Sequence, residues 1–306
     1  MAQVVGLGGT TGLGSIIYGL QKVSEILDET HLSVRALEFS RLITKELINQ
    51  DLRHDVVAGN AGGILGLLYL YKATREGQLL KKAILCGEHL LKKRKPTPLN
   101  YRTWEFQKGM FLVGFSHGSS GILYALAQLY KITKNNELYK ALLEVLDYEN
   151  AVFSQGDNNW PDFRTDPANT TAISWCHGAT GVGFSRLGLL DIIKTPQIRK
   201  DLDIALEKTL EKDMGFVDTL CCGNFGRLDF LVSSGLLLKK GDLVKLVEQQ
   251  TSRVLNRYDT TGEFNYFSNY STSETNIGFY QGISGIGYEM LRICEPGLFG
   301  SILMWE

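Results

Sequence analysis

Proline and cysteine are both scarce in this 306-residue chain, with 6 and 5 residues. Few prolines leave room for many uninterrupted helices. An odd handful of cysteines in a chain this long excludes a disulfide scaffold. Clustered thiols in a reducing compartment more often bind metal or do chemistry. No sign of charge dominates either: 32 basic against 33 acidic residues give a net charge of -1, which argues against nucleic acid or another polyanion as partner. No run of about 18 apolar residues occurs, so no transmembrane segment is expected. The N-terminus, Met1-Ala2-Gln3-Val4-Val5-Gly6, lacks the charged region and apolar run of a secretion signal. A soluble cytoplasmic protein is expected, and 44% hydrophobic residues supply a large core.

Glycine, by contrast, is abundant (33 residues) and ordered. A Gly-x-x-Gly unit followed by apolar residues recurs at Gly9–Gly12, Gly59–Gly62, Gly118–Gly121, Gly178–Gly181, Gly223–Gly226 and Gly282–Gly285, in steps of 50, 59, 60, 45 and 59 residues. A period of this size is the signature of a repeat architecture. Each unit continues with a short apolar helix such as Ile64–Leu70, a polar turn, and an amphipathic helix. The amphipathic stripes are Leu79, Leu80, Ala83, Ile84 and Leu91, then Leu142, Leu143 and Leu146, then Leu202, Leu206 and Leu210. Leu243, Leu246, Val247 and Val254 make the last. No run of alternating strands appears. An all-α fold of helical hairpins follows. Apolar inner helices that start on small residues suit a closed barrel; an open solenoid is the other arrangement such repeats allow.

The residues just ahead of the glycine pairs carry the chemistry. Asp55 precedes Gly59, and His117 adjoins Gly118. Unit four reads Ser174-Trp175-Cys176-His177-Gly178 and unit five Leu220-Cys221-Cys222-Gly223. Equivalent units would gather these positions at one mouth. Cys176, Cys221 and Cys222 then offer three sulfur ligands with a fourth position open, the plan of a catalytic zinc site. The bland alternative is three buried small hydrophobes. Cys86 and Cys294 read as core residues. His31, His54 and His89 read as partnerless and outside the chemistry, His54 least firmly because it adjoins Asp55.

Taken together, the Gly-x-x-Gly units, His-Gly, Trp-Cys-His-Gly and Cys-Cys-Gly resemble the lanthionine synthetase cyclases, most of all the C-terminal cyclase domain of class II lanthipeptide synthetases. The resemblance spans nearly the whole chain. It implies an α/α toroid (barrel) with a central Zn2+, and addition of a peptide cysteine to dehydroalanine or dehydrobutyrine to close a thioether ring. It implies Cys176, Cys221 and Cys222 as metal ligands, His117 and Asp55 as acid/base and carboxylate positions, and His177 as a further catalytic candidate. Departures exist. Many relatives have Cys-His-Gly where this chain has Cys221-Cys222-Gly223. An arginine four residues before the first metal cysteine is here Ala172, and Arg164 is the candidate substitute. Arg164 and Trp175 are the expected substrate-binding residues. Six units stand against the family's seven. Residues 1–306 are expected to form one cyclase domain, the C-terminal part of a larger bifunctional synthetase with an N-terminal dehydratase domain. The expected partner is a dehydrated precursor peptide with its leader.

Three other readings compete. A related enzyme could add glutathione to dehydro residues at the same zinc site. A glycosidase or terpene cyclase would need paired carboxylates, and only Asp55 is convincing. A helical-repeat binding protein with structural zinc would need a fourth ligand, for which His177 and His117 are the choices. Aromatics at Trp104, Phe106, Phe111, Tyr266, Phe267, Tyr270, Phe279 and Tyr280 could line a peptide groove or simply pack.

Overall fold

A computed structural model describes residues 6–165, 167–215, 217–267 and 276–306. Along the chain the helices are α1 (Leu13–Leu27), α2 (Thr30–Arg41), α3 (Lys45–Gln50), α4 (Asn60–Thr74), α5 (Gly77–Lys93) and α6 (Ser119–Thr133). They continue with α7 (Asn136–Ala151), α8 (Ala179–Leu189), α9 (Pro196–Glu211), α10 (Asn224–Leu237), α11 (Gly241–Thr261) and α12 (Ile283–Cys294). The strands among the described residues are a two-residue antiparallel pair, Lys95–Pro96 with Arg102–Thr103.

The helices fall into two rings. In the inner ring α1 packs on α4, α4 on α6, α6 on α8, α8 on α10 and α10 on α12. Outer helices α2, α5, α7, α9 and α11 each back the inner helix before them. Composition explains the split. Every residue of α4 from Asn60 to Leu70 is buried, as a helix apolar all round must be. In α5 a single stripe of Leu79, Ala83, Cys86 and Leu90 is buried while Lys81 and Glu88 face water. Two stripe residues depart from expectation: Leu143, one position off the buried stripe of α7, and Leu210, in the last turn of α9, are exposed. The segment Ile302–Trp305 is buried at the centre and ties the ring together. Tyr18 and Lys22 of α1 donate to the Glu306 carbonyl (3.1 and 2.8 Å), Tyr124 of α6 to Met304 (2.7 Å), and the Ser301 hydroxyl to Asp229 of α10 (2.9 Å). The result is an α/α toroid rather than an open solenoid.

Each inner helix begins after a glycine N-cap: Gly12, Gly59, Gly118, Gly178, Gly223 and Gly282. This corrects the register of unit one. Its structural counterpart of Gly59–Gly62 is Gly12-Leu13-Gly14-Ser15, not Gly9–Gly12. The Ser15 amide bonds the Gly8 carbonyl just as Gly62 bonds Asp55 and Gly121 bonds Gly114. The second glycine of later units has a steric reason. A Cβ at Gly62, Gly121, Gly181, Gly226 or Gly285 would lie 1.9 to 2.3 Å from a backbone carbonyl oxygen of the preceding loop. Gly181→Ala would drive its methyl into the Trp175 carbonyl, beside Cys176. The expected result is a loss of about 1–3 kcal/mol, read from the shift of a urea unfolding midpoint.

Those loops are also stitched sideways. Gly9 donates to Val56 (2.8 Å), Val57 to Ser116 (3.3 Å), Phe115 to Trp175 (3.3 Å) and Cys221 to Tyr280 (3.0 Å). The stitching brings the segments that carry Asp55, His117, Cys176 and Cys221 to one end of the ring. Beneath, a fully buried Arg186 on α8 reaches Glu149 of α7 (2.5 Å) and Asp201 of α9 (2.7 Å), and Ser119 and Ser120 of α6 cap the same Glu149. Every charge in this cluster is paired, as burial requires.

Candidate metal centre

Cys176 sits in a tight loop ahead of α8. Ser174 donates its amide to the His177 carbonyl (3.0 Å), and Gly178 closes the turn at φ +78°, where a Cβ would lie 1.7 Å from the Ala172 oxygen. Cys221 and Cys222 occupy the turn ahead of α10, held by the Gly223 amide on the Thr219 carbonyl (3.0 Å). The loops meet. Cys176 Sγ lies 2.9 Å from Cys222 Sγ, and Cys221 Sγ lies 3.4 Å from Cys222 Sγ. All three sulfurs fall within 4.8 Å of one another. None is in a disulfide.

Three thiols this close ionise as a unit. Hydrogen bonds from the Cys176 and Cys222 sulfurs lower the Cys221 thiol to about 4. Holding that anion pushes Cys176 far up, through its hydrogen bonds to Cys221 and Cys222 and then through burial. The N-termini of α8 and α10 lie beside this negative charge and favour it. The donor set fits zinc. Three soft sulfurs match its preference, and a tetrahedral ion with Zn–S bonds of about 2.3 Å would space them by about 3.8 Å, an outward shift of about 1 Å or less. No fourth histidine, cysteine or carboxylate among the described residues joins the group.

Around the sulfurs stand two further assemblies. Asp55 is 1% exposed; its Oδ1 accepts the Ala58 amide (2.7 Å), and His117 donates from Nδ1 to its Oδ2 (2.9 Å). One carboxylate therefore caps its own turn and fixes the imidazole of the next unit, leaving Nε2 for other work. Phe106 covers the His117 ring at 5.5 Å. The second assembly centres on Asp162. Arg164 grips it through Nε (3.0 Å) and Nη2 (2.7 Å), and His177 Nδ1 lies 3.7 Å away. Burial pushes Asp162 up, but the Arg164 hydrogen bonds and the His177 charge outweigh it and hold Asp162 below the usual carboxylate range. Burial lowers His177 to about 4 against the opposing pull of Asp162, so it is neutral at pH 7. Arg164 is raised chiefly by its hydrogen bond to Asp162, against the opposing effect of burial. Its side chain is half exposed, so the guanidinium is tied to Asp162 on one side and meets solvent on the other.

Several expectations need correcting. Trp175, expected to meet substrate, is 1% exposed; it stacks on Tyr280 and donates to the Leu303 carbonyl (3.3 Å), beneath the centre and within the core. Trp104 takes the packing alternative left open for it: it is buried, its indole on the Leu90 carbonyl. Tyr270 lies outside the described residues. Cys86 is core, but Cys294 is exposed. His31 is exposed but lies 3.2 Å from Glu29, so it is not partnerless. His54 and His89 are not partnerless either; both are buried beside Asp51. Asp162 and Gln281, which hydrogen-bonds Cys221, were missed. Asp162 stands two residues before Arg164, and an acid–x–arginine pair ahead of Cys176 was the available signal.

The ring of helical hairpins with a thiolate cluster at one mouth defines an α/α-toroid protein with a candidate metal centre. The chain belongs to the lanthionine synthetase C-like protein family, whose model matches residues 4–304. Among curated relatives, the "Lacticin 481/lactococcin biosynthesis protein LcnDR2" of Lactococcus lactis subsp. lactis is 26% identical over 208 residues. That match covers 63% of this chain and 22% of the relative. Among solved structures, nisin cyclase superposes with a TM-score of 0.74 at 17% identity, covering 98% of this chain and 80% of that one. A cellobiose 2-epimerase from Bacillus thermoamylovorans reaches 0.56 at 12% identity, covering 81% and 76%. At these identities the structures establish the shared ring, while the chemistry rests on the site.

Proposed function

We propose that this chain is a zinc-dependent peptide cyclase that closes lanthionine and methyllanthionine rings. The observation that carries the reading is three cysteine sulfurs from two neighbouring repeats within 4.8 Å, with no fourth ligand among the described residues. A structural zinc would need that fourth ligand. His177 and His117 do not join the cluster; His117 is engaged with Asp55 and His177 lies beside Asp162.

A zinc ion held by Cys176, Cys221 and Cys222 would supply the Lewis acidity that keeps a coordinated substrate thiol deprotonated at neutral pH. A free thiol, with a pKa near 8.5, is only a few per cent thiolate at pH 7. Three thiolate ligands leave the centre anionic, which favours an electron-rich incoming sulfur. Arg164, tied by Asp162 at the edge of the centre, offsets part of that charge and offers donors to a peptide carbonyl. The substrate sulfur adds to the β-carbon of a dehydro residue, and the resulting enolate takes a proton at its α-carbon. His117 is the proton donor, because Asp55 fixes the ring through Nδ1 and leaves Nε2 outside that bond. His177, buried and neutral, supports the loop and is the second choice for that role.

The relative of which 22% is matched also carries sequence beyond this region. This supports reading residues 1–306 as the cyclase part of a larger synthetase whose dehydratase part prepares the substrate. No described helix is long and apolar enough to cross a membrane, which agrees with a cytoplasmic enzyme acting on a dehydrated precursor peptide with its leader. The test is direct. Incubating the protein with a chemically or enzymatically dehydrated precursor, then alkylating free thiols, should show by mass spectrometry one fewer alkylation per ring closed. Full alkylation after incubation would reject the reading.

A further inference from the structure

The second group of potential ligand atoms in the described residues lies away from the sulfurs. Asp51, His54 and His89 each offer one such atom, and the three atoms lie within 4.8 Å of one another. We propose that these residues form a second cation site, for a divalent transition metal such as zinc, which clamps the loop ahead of α4 to outer helix α5.

The repeat itself frames the argument. In unit five Asp218 accepts from Asn224, the first residue of α10 (2.7 Å), and its charge is met by Arg257 of outer helix α11 at 2.6 and 2.7 Å. Unit two is built alike up to one point. Asp51 accepts from Asn60, the first residue of α4, through the amide (2.7 Å) and the side chain (2.9 Å). The outer helix, however, supplies His89 where unit five has a guanidinium. His54 turns in beside it, with the ring centroids 5.7 Å apart. Among the described residues the ion-pair contact of Asp51 is with His54 Nδ1, at 3.9 Å. The Asp51 carboxylate also accepts the Arg53 and His54 amides (2.9 and 3.2 Å), and two imidazole nitrogens stand within ligand range of it where Asp218 meets an arginine.

Two features point to a ligand there. His54 is 8% exposed and its Nδ1 has no hydrogen-bond partner, an arrangement that is costly for a buried nitrogen. His54 also holds φ at +65°, a left-handed conformation uncommon for a residue with a Cβ. His89 donates from Nε2 to the Asp51 carbonyl (3.0 Å), which fixes the ring against the loop and leaves its other nitrogen with the lone pair. Burial lowers both imidazoles, so both are neutral donors at pH 7. Two imidazoles and a carboxylate form a common donor set for zinc. Sequence places His54 beside Asp55, so an ion here would stiffen the loop whose carboxylate aims His117.

The experiment is a metal count on the whole chain, independent of peptide cyclisation. Protein equilibrated with excess Zn2+ and desalted should carry two zinc ions per chain by elemental analysis. His54→Gln with His89→Gln should carry one, and Cys176→Ala should keep the imidazole-bound one. Cobalt separates the sites without any substitution. In wild type one equivalent should bring thiolate-to-cobalt charge-transfer absorption, and a further equivalent only the weaker bands of nitrogen and oxygen ligation. Saturation at one equivalent, or an imidazole variant that still binds two, overturns the proposal.

Discussion

Cys176→Ala is expected to strip the metal from the centre and to abolish ring closure in the same step. The substitution removes one of three sulfurs and leaves Cys221 and Cys222, adjacent in sequence, as the remaining pair. Losing an outer hydrogen-bond partner of a metal ligand costs roughly 10–100-fold in affinity, and losing a ligand costs more. A divalent ion also contributes several kcal/mol of charge stabilisation, so cyclisation should slow by roughly 100-fold or more. Fold stability should change little by comparison, because Cys176 contributes few apolar atoms and the loop is held by backbone bonds at Ser174 and Gly178. The measurement pairs zinc content at the cysteine centre with the alkylation count on a dehydrated peptide. Cys294→Ala, at an exposed cysteine, is the control and should leave both unchanged. A Cys176→Ala protein that closes rings at the wild-type rate would remove the centre from the reaction. Acid should release the metal from wild type, because each ligand must be deprotonated to bind and protons compete as pH falls.

His117→Asn should separate metal binding from chemistry. Zinc content should hold, since His117 is not in the sulfur cluster, while ring closure slows by about 10²–10⁴-fold, the range for loss of a positioned general acid. Single-turnover kinetics on a dehydrated peptide read the effect without product release. Asp55→Asn should fall between the two proteins. The amide still caps the Ala58 turn through Oδ1 but presents a donor to His117, so the imidazole loses its orientation. Loss of zinc in His117→Asn would instead make that histidine a ligand and reopen the structural-metal reading.

The proposed metal centre, with all three thiols ionised on the ion, would be anionic, and Arg164 held by Asp162 would offset that charge. Departing from the family pattern, position 172 is alanine. The Ala172 carbonyl lies where a Cβ on Gly178 would collide, so this backbone is already committed to the loop turn. Arginine arrives from a different segment of the same loop, tethered by a buried aspartate. The expected replacement at Arg164 thus has a holder that sequence spacing did not single out.

What the chain of residues determined by itself was periodic. Glycine pairs, apolar inner segments and amphipathic outer stripes specify hairpins, because burial of a helix face is written locally at a spacing of 3 to 4 residues. Cysteines repeated at equivalent places in that period specified a shared mouth. Tertiary structure alone decided the rest. The register of unit one turned on which carbonyl the Ser15 amide meets, while the Gly12 amide donates to the Ser15 hydroxyl. Trp175 went to the core because the C-terminal segment, far along the chain, supplies its acceptor. His54 and His89 met around Asp51 because α5 folds back over the loop ahead of α4. The last two are contacts between residues distant in sequence, settled as the ring closes and invisible to any local period; the first is a local bond that glycine spacing does not distinguish.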